Sequence, residues 1–337
     1  MKLKADISKI HYDKNTKGIF FDVLRFCSIF YRFGSELKNI LYDTGILKPQ
    51  KVDAYVISVG NLTTGGVGKT PFVAELANRF ISKGKKVGIV SRGYGGKLKG
   101  VNVISDGDNI FFSAKDSGDE PNWLAQNTKA VVITSSIRYE GAKLGIEKYG
   151  VDVIILDDGF QHRKLYRNLD VVLVDSEKRF GNDKLLPAGP LRETKKNLKR
   201  ANKIVVVSKN FSHYGALDYA NMLFEEYKKP VSICKIEPDI AYNIFDEKDI
   251  LNKETQVIAF SGIGQPQQFY KFLNNYDVIK TFNFDDHHVY SQKDIDKLDK
   301  YKLPLVTTEK DSVKCKNLKF NNKIYALKLK INIEDIK

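Results

Sequence analysis

Apolar residues in this chain gather into short unbroken runs, separated by segments whose apolar positions recur with a helical period. AYVISV (54–59), KKVGIVS (85–91), AVVIT (130–134), VDVIILD (151–157), DVVLVD (170–175) and KIVVVS (203–208) are Val/Ile-rich runs of strand length. Continuous runs, unlike alternating ones, fit strands covered on both faces, as in parallel sheets. After the first run, Val73, Leu76, Ala77 and Phe80 fall on one helix face, with Pro71 in the first turn and Gly84 at the stop. The pattern predicts an α/β fold with a doubly wound, mostly parallel sheet. Past residue 210, VSICKIE, QVIAFSGIG, a helical PQQFYKFLNN, DVIKTFNF, a polar helix near 291–301, PLVTTEKD and IYALKLKI alternate again, which predicts a second, smaller α/β domain.

The N-terminal region has a different pattern. In IFFDVLRFCSIFYRF (19–33) the polar residues Asp22, Arg25 and Arg32 recur at helical spacing, extended by Ser28 and Glu36, and the rest of the surface is aromatic and aliphatic. A helix with a narrow cationic edge and a wide apolar face suits a membrane interface, and equally a core-packing role. Met1 to Lys17 is polar, without the apolar run of a signal peptide, and no apolar stretch reaches the ~18 residues that a membrane span needs. A formal charge of +14 suits an anionic partner, though a lysine-rich background produces the same excess. Three scattered cysteines, Cys27, Cys234 and Cys315, argue against a disulfide framework or a zinc site and fit a reducing compartment.

Chemistry concentrates at strand ends. SVGNLTTGGVGKTP (58–71) runs from a strand through glycines into a helix. Gly65, Gly66 and Gly68 let backbone N–H groups approach phosphate, with Thr63, Thr64 and Val67 completing the loop. Lys69 would reach the β- and γ-phosphates, and the Thr70 hydroxyl would ligate Mg²⁺. Thr63 stands where the P-loop pattern has its first glycine. VDVIILDDGFQH (151–162) ends a buried strand in Asp157 and Asp158, at the sheet edge where metal-facing acids are expected, and Gln161 and His162 follow toward the same crevice. SRGYGG (91–96) offers Arg92 beside glycines, either as a phosphate- or substrate-binding loop or as a plain turn. Asp119 and Glu120 precede Pro121, where acids commonly start a helix. Arg192, in LLPAGPLRE (185–193), is either a phosphoryl clamp or a surface arginine. In DDHHVY (285–290) a single histidine coupled to a carboxylate is a better reading than two adjacent metal ligands.

Together the strings VGNLTTGGVGKTP, SRGYGG, GDEP, DDGFQH, LLPAGPLRE, FSGIG, DDHH and TEKD, in this order across nearly the whole chain, resemble the tetraacyldisaccharide 4′-kinase family of lipid A biosynthesis. That family also carries threonine at the position of Thr63. The resemblance implies transfer of the ATP γ-phosphate, with Mg²⁺, to the 4′-hydroxyl of an acylated glucosamine disaccharide 1-phosphate, giving lipid IVA. It implies a peripheral protein on the cytoplasmic face of the inner membrane, with no nucleic acid and no obligate protein partner. It also implies roles: Asp119 as general base with Glu120 beside it, His287 as the partner tuning that aspartate, Asp157 and Asp158 on the Mg²⁺ side, and Arg192 in the active site. The choice between His287 and His288, and between Asp157 and Asp158 as the nearer metal partner, stays open. The expected organisation is an N-terminal membrane-associating helical region (1–50), a P-loop kinase domain (51–210) and a C-terminal α/β domain (211–337). The rival readings are a membrane-associated switch ATPase, a P-loop kinase for a soluble small molecule and, with its basic charge scattered, a nucleic-acid-binding NTPase. The switch ATPase usually has a signature lysine where Thr64 stands and needs no acceptor-binding domain.

Overall fold

The computed structural model describes residues 10–209, 213–264, 266–286 and 288–335. Its strands are β1 (Tyr55–Asn61), β2 (Val87–Ser91), β3 (Val101–Ser105), β4 (Val131–Ser135), β5 (Val153–Asp157), β6 (Leu169–Asp175), β7 (Lys203–Ser208), β8 (Val231–Asn243), β9 (Gln256–Ser261), β10 (Asp277–Asn283), β11 (Leu305–Thr308) and β12 (Ile324–Asp335). The fold is α/β, and the chain divides into two compact units, each discontinuous in sequence. The first takes residues up to Lys69, Asp152–Lys235 and a short piece from Ile333; the second takes Thr70–Val151 and Ile236–Asn332.

In the first unit the strands lie in the order β8-β7-β6-β1-β5, all parallel. Their Val/Ile runs are buried almost throughout, as continuous apolar strands require. Register then decides where the chemistry goes. Val59 of β1 pairs with Asp157 of β5, and Asn61 pairs with Leu173 of β6, so the carboxyl ends of three neighbouring strands finish together. That edge is where open α/β sheets bind ligands. Gly60 is needed there because a Cβ would lie 2.6 Å from the Cβ of Phe160, which is fully buried in the core. Leu62, Phe160, Val172, Val174, Ile204 and Val206 form that core with Leu223 of the Ala216–Tyr227 helix.

In the second unit β2 and β4 are parallel and β3 runs antiparallel to β4, while β10-β9-β11-β12 form a parallel group. Ile258, Phe260, Ile295, Leu298, Leu305 and Ile324 make a core around them. Thr308 caps the Glu309–Cys315 helix by accepting from the Asp311 N–H, and this helix packs on the Asp119–Asn127 helix.

The N-terminal helix runs over Ile19–Asp43, beyond the 19–33 expected from the aromatic run. Part of its polar edge faces the protein, while Asp22, Arg25 and Arg32 are exposed. Ser28 Oγ accepts from the Ala188 N–H, Glu36 accepts from Thr194 Oγ1 at 2.7 Å, Asn39 donates to buried Glu193, and Asp43 pairs with Arg163 at 2.7 Å. Phe20, Val23, Phe26, Ile29, Phe30, Phe33, Leu37 and Ile40 are exposed, Phe33 by 71%. Among the described residues no helix is long and apolar enough to cross a membrane.

One buried acid sets a pH dependence for the second unit. Burial pushes the Glu309 carboxyl up to about 7, against smaller pulls from Lys328 and the Leu329 N–H, and the Tyr242 hydroxyl donates to it at 3.4 Å. A raised acid adds stability below its unfolded value of 4.5 and loses it as pH climbs through 7. Glu309→Gln should therefore stabilise the protein at pH 8, by at most on the order of 3 kcal/mol, with little effect near pH 4. Urea titrations of both proteins at the two pH values check the difference.

Candidate active site

The P-loop leaves β1 and turns with Gly65 at φ 107° and Gly68 at φ 100°, conformations that L side chains rarely adopt. The loop Leu185–Arg192 holds its first half in place. Thr63 bridges Leu191, the Thr64 N–H donates to the Pro190 carbonyl at 2.8 Å, and the Arg192 N–H donates to the Leu62 carbonyl at 2.7 Å. Asn61, the last residue of β1, donates to the Thr63 carbonyl at 2.7 Å and accepts from Lys69 Nζ at 3.0 Å. Lys69 opens the Lys69–Ser82 helix, and Thr70 follows in its first turn.

Asp158 follows β5 in the left-handed region at φ 55°. Its carboxylate lies 3.4 Å from Lys69 Nζ and takes both oxygens to Arg192 Nη1, at 2.7 and 2.9 Å. Burial alone would raise this acid, but Lys69 and then Arg192 outweigh it and hold it down at about 2. A depressed acid stabilises above its unfolded value of 3.8 and loses that contribution as pH falls through 2, so the cluster is intact throughout the neutral range. Gln161 ties the same corner together: its amide donates to the Asn61 carbonyl at 3.0 Å and its oxygen lies 3.5 Å from Arg192 Nη1. Asp157 is buried at the end of β5, and His162 is half-buried behind Gln161. The structure therefore brings Lys69, Asp158, Gln161 and Arg192 into one cluster.

A second cluster is built within the second unit. Asp119 opens the Asp119–Asn127 helix, as expected for an acid in a first turn, and its Oδ2 lies 3.0 Å from Lys314 Nζ. Lys314 also meets Asp311 at 3.1 Å; Asp311 is fully buried and accepts from the Gly262 N–H and the Thr308 hydroxyl. Burial would lower the Lys314 ammonium, but Asp311 and Asp119 raise it, so the lysine stays charged between two carboxylates. Glu120 faces Lys310 at 3.4 Å. Arg92 is exposed just past β2. His287 lies outside the described residues. His288 is committed elsewhere, stacked on Phe284 with Nε2 3.2 Å from Asp294.

Sequence reasoning missed Lys314, Asp311 and Asn61. Asn61 stood inside the P-loop string, immediately after the strand. Lys314 and Asp311 are one helical turn apart behind a Thr-x-x-Asp cap, a signal present in TTEKDSVKC.

Among the described residues no group of three or more His, Cys, Asp or Glu side chains could hold a metal ion. The expected Mg²⁺ donors Thr70, Asp157 and Asp158 are all oxygens, the ligand type of a hard cation that keeps waters and completes its shell with phosphate.

The family model described as Tetraacyldisaccharide-1-P 4′-kinase matches residues 21–337. The chain is 40% identical over 303 residues to the tetraacyldisaccharide 4′-kinase of Aquifex aeolicus (strain VF5), covering 88% of this chain and 90% of that relative. It is 36% identical over 331 residues to the enzyme of the same name from Halothermothrix orenii, covering 88% and 85%. The crystal structure of the "apo" form of LpxK from Aquifex aeolicus in complex with ATP is similar in fold, with a TM-score of 0.77 and 36% identity over 94% of this chain and 96% of that one.

The Asp158 cluster yields a prediction whose sign separates two effects. Asp158→Asn frees Lys69 and Arg192 from their internal anion, so Mg²⁺-free ATP should bind several-fold more tightly in calorimetry with chelator present. With Mg²⁺ supplied, kcat should fall by about two orders of magnitude if Asp158 is a metal-side carboxylate, as expected from the sequence. Weaker Mg²⁺-free binding by the variant would contradict this account of the pairing.

Proposed function

The chain belongs to the tetraacyldisaccharide 4′-kinase family, and from that premise we propose how its own residues carry the reaction. It is an ATP-dependent lipid-sugar kinase that transfers the γ-phosphate of ATP to the 4′-hydroxyl of tetraacyldisaccharide 1-phosphate, forming lipid IVA. The observation that carries the assignment of roles is the convergence of Lys69 and Arg192 on Asp158, beside the P-loop.

In a loose phosphoryl-transfer transition state, charge spreads over the equatorial oxygens, and positioned cations stabilise it. Lys69 is the cation for the β- and γ-oxygens, and Arg192, ordered by the Leu62 carbonyl and Asp158, clamps the transferred group. Thr63 to Thr70 cradle the nucleotide phosphates. Thr70, Asp157 and Asp158 are the oxygen donors for Mg²⁺, which offsets charge on the phosphate oxygens when bound. Asp119 is the base that accepts the proton of the 4′-hydroxyl, with His287 as its tuning partner. Lys314 holds the Asp119 carboxylate in place at 3.0 Å. Arg92, Glu120, Gln161 and His162 serve acceptor binding; for Gln161 that adds to its tie between Asn61 and Arg192.

The exposed aromatic face of the Ile19–Asp43 helix supports peripheral attachment to the cytoplasmic face of the inner membrane. Arg25 and Arg32 are exposed on that helix and, with the +14 charge, favour anionic headgroups.

Two experiments check this reading. Transfer from [γ-³²P]ATP to tetraacyldisaccharide 1-phosphate in detergent micelles with Mg²⁺ should label the lipid, with roughly 10²–10⁴-fold losses in kcat for Lys69→Ala and Asp119→Ala. Near-normal turnover by Asp119→Ala would remove it from the chemistry. For the membrane, Phe26→Ser with Phe30→Ser should weaken sedimentation with anionic vesicles by at least about tenfold. Equal sedimentation would show that the aromatic face serves another purpose.

A further inference from the structure

The P-loop is braced from outside by two side chains that belong to neither of its flanking elements. Tyr12 Oη donates to the Thr64 carbonyl at 3.0 Å, and Lys209 Nζ donates to the Gly66 carbonyl at 2.6 Å. Both come from distant parts of the first unit, Tyr12 ahead of the N-terminal helix and Lys209 directly after β7. A trans peptide is planar, so its C=O and N–H point in opposite directions. Holding the Thr64 carbonyl on one side turns the Gly65 N–H to the other, and holding the Gly66 carbonyl does the same for the Val67 N–H. Neither N–H has a hydrogen-bond partner among the described residues, whereas the Thr64 N–H is already given to Pro190.

One acid organises both braces. Asp175, at the end of β6 and 6% exposed, meets Lys209 Nζ with Oδ2 at 3.1 Å. Its Oδ1 accepts the Glu177 and Lys178 N–H groups at 3.0 and 2.9 Å. That turn sets the Lys178 ammonium 5.0 Å over the Tyr12 ring. Burial, then the Asp175 charge, raise the Tyr12 phenol, which keeps its hydroxyl protonated and a donor.

We propose that Lys209 and Tyr12 are positioning residues for the phosphoryl donor: they hold two P-loop carbonyls away from the bound nucleotide and so aim the Gly65 and Val67 N–H groups at its phosphates. Neither side chain touches the transferred group, and the effect reaches the reaction through loop shape alone.

The test uses the full chain and its kinase activity. Lys209→Met keeps the aliphatic stem and removes the donor; Tyr12→Phe removes one oxygen. KM for ATP should rise about tenfold in the first and about threefold in the second, the losses expected for a charged and a neutral hydrogen bond. KM for the lipid acceptor should stay at the wild-type value in both, and the melting temperature without nucleotide should stay at the wild-type value in Tyr12→Phe. Calorimetry should show the same losses for ATP and ADP but not for AMP, which has no β-phosphate. Lys209→Arg, which keeps a donor, should recover part of the ATP affinity. An unchanged KM for ATP in both variants overturns the proposal. So does a loss shared equally with AMP, which would mark a base contact, or, in Tyr12→Phe, a loss spread over both substrates with a lowered melting temperature, which would mark a general structural role. If Lys209→Met does not fold, Tyr12→Phe decides the matter alone.

Discussion

The site depends on keeping two cations close together before any phosphate arrives. Lys69 and Arg192 would repel one another, and a helix N-terminus beside them adds more positive potential. Asp158 solves this by sitting between them, 3.4 Å from one and 2.7 Å from the other, in a backbone conformation unusual for a side-chain-bearing residue. The carboxylate can be there only because β5 is in register with β1, because Gly60 leaves room for Phe160, and because the 185–192 loop returns Arg192 to Leu62. On the proposed roles, the nucleotide would enter by exchange of partners, one anion replacing another, with much smaller reorganisation than assembling the charges anew would require.

The second cluster inverts this charge pattern. There a cation, Lys314, lies between two carboxylates, one buried and satisfied by Gly262 and Thr308, the other at the start of a helix. Asp311 has its lone pairs taken by backbone and hydroxyl donors, which suits a fixed support. Asp119 pairs with a lysine that it shares with Asp311, an arrangement consistent with its proposed role as base.

What the sequence displayed followed from periodicity and local spacing. Continuous Val/Ile runs announced β1, β2, β4, β5, β6 and β7 because burial on both faces leaves no polar alternation to confuse them. The P-loop was legible because its glycines, Lys69 and Thr70 are consecutive. β3 was not: VNVIS is short, partly exposed and antiparallel, and it leads into the turn-rich SDGDN. The helix carrying Asp311 and Lys314 was hidden inside TTEKD, which looks like the tail of a strand. The pairings of Asp119 with Lys314 and of Gly66 with Lys209 join segments far apart in the chain, and no local pattern encodes such a meeting. Chemical character is written residue by residue, whereas partnership is decided by topology.

The N-terminal helix commits Ser28, Glu36, Asn39 and Asp43 to the protein itself. Asn39 reaches Glu193, a buried carboxylate that also serves Asn197 and Arg200, so peeling the helix away would remove one donor from a buried polar network. It cannot act as a float on a tether. On the proposed membrane attachment, such a helix would fix the tilt at which the first unit lies, and lateral diffusion would bring every lipid headgroup to the phosphate loop from the same direction. An encounter otherwise requiring three dimensions and free tumbling becomes a search in a plane with the orientation already set.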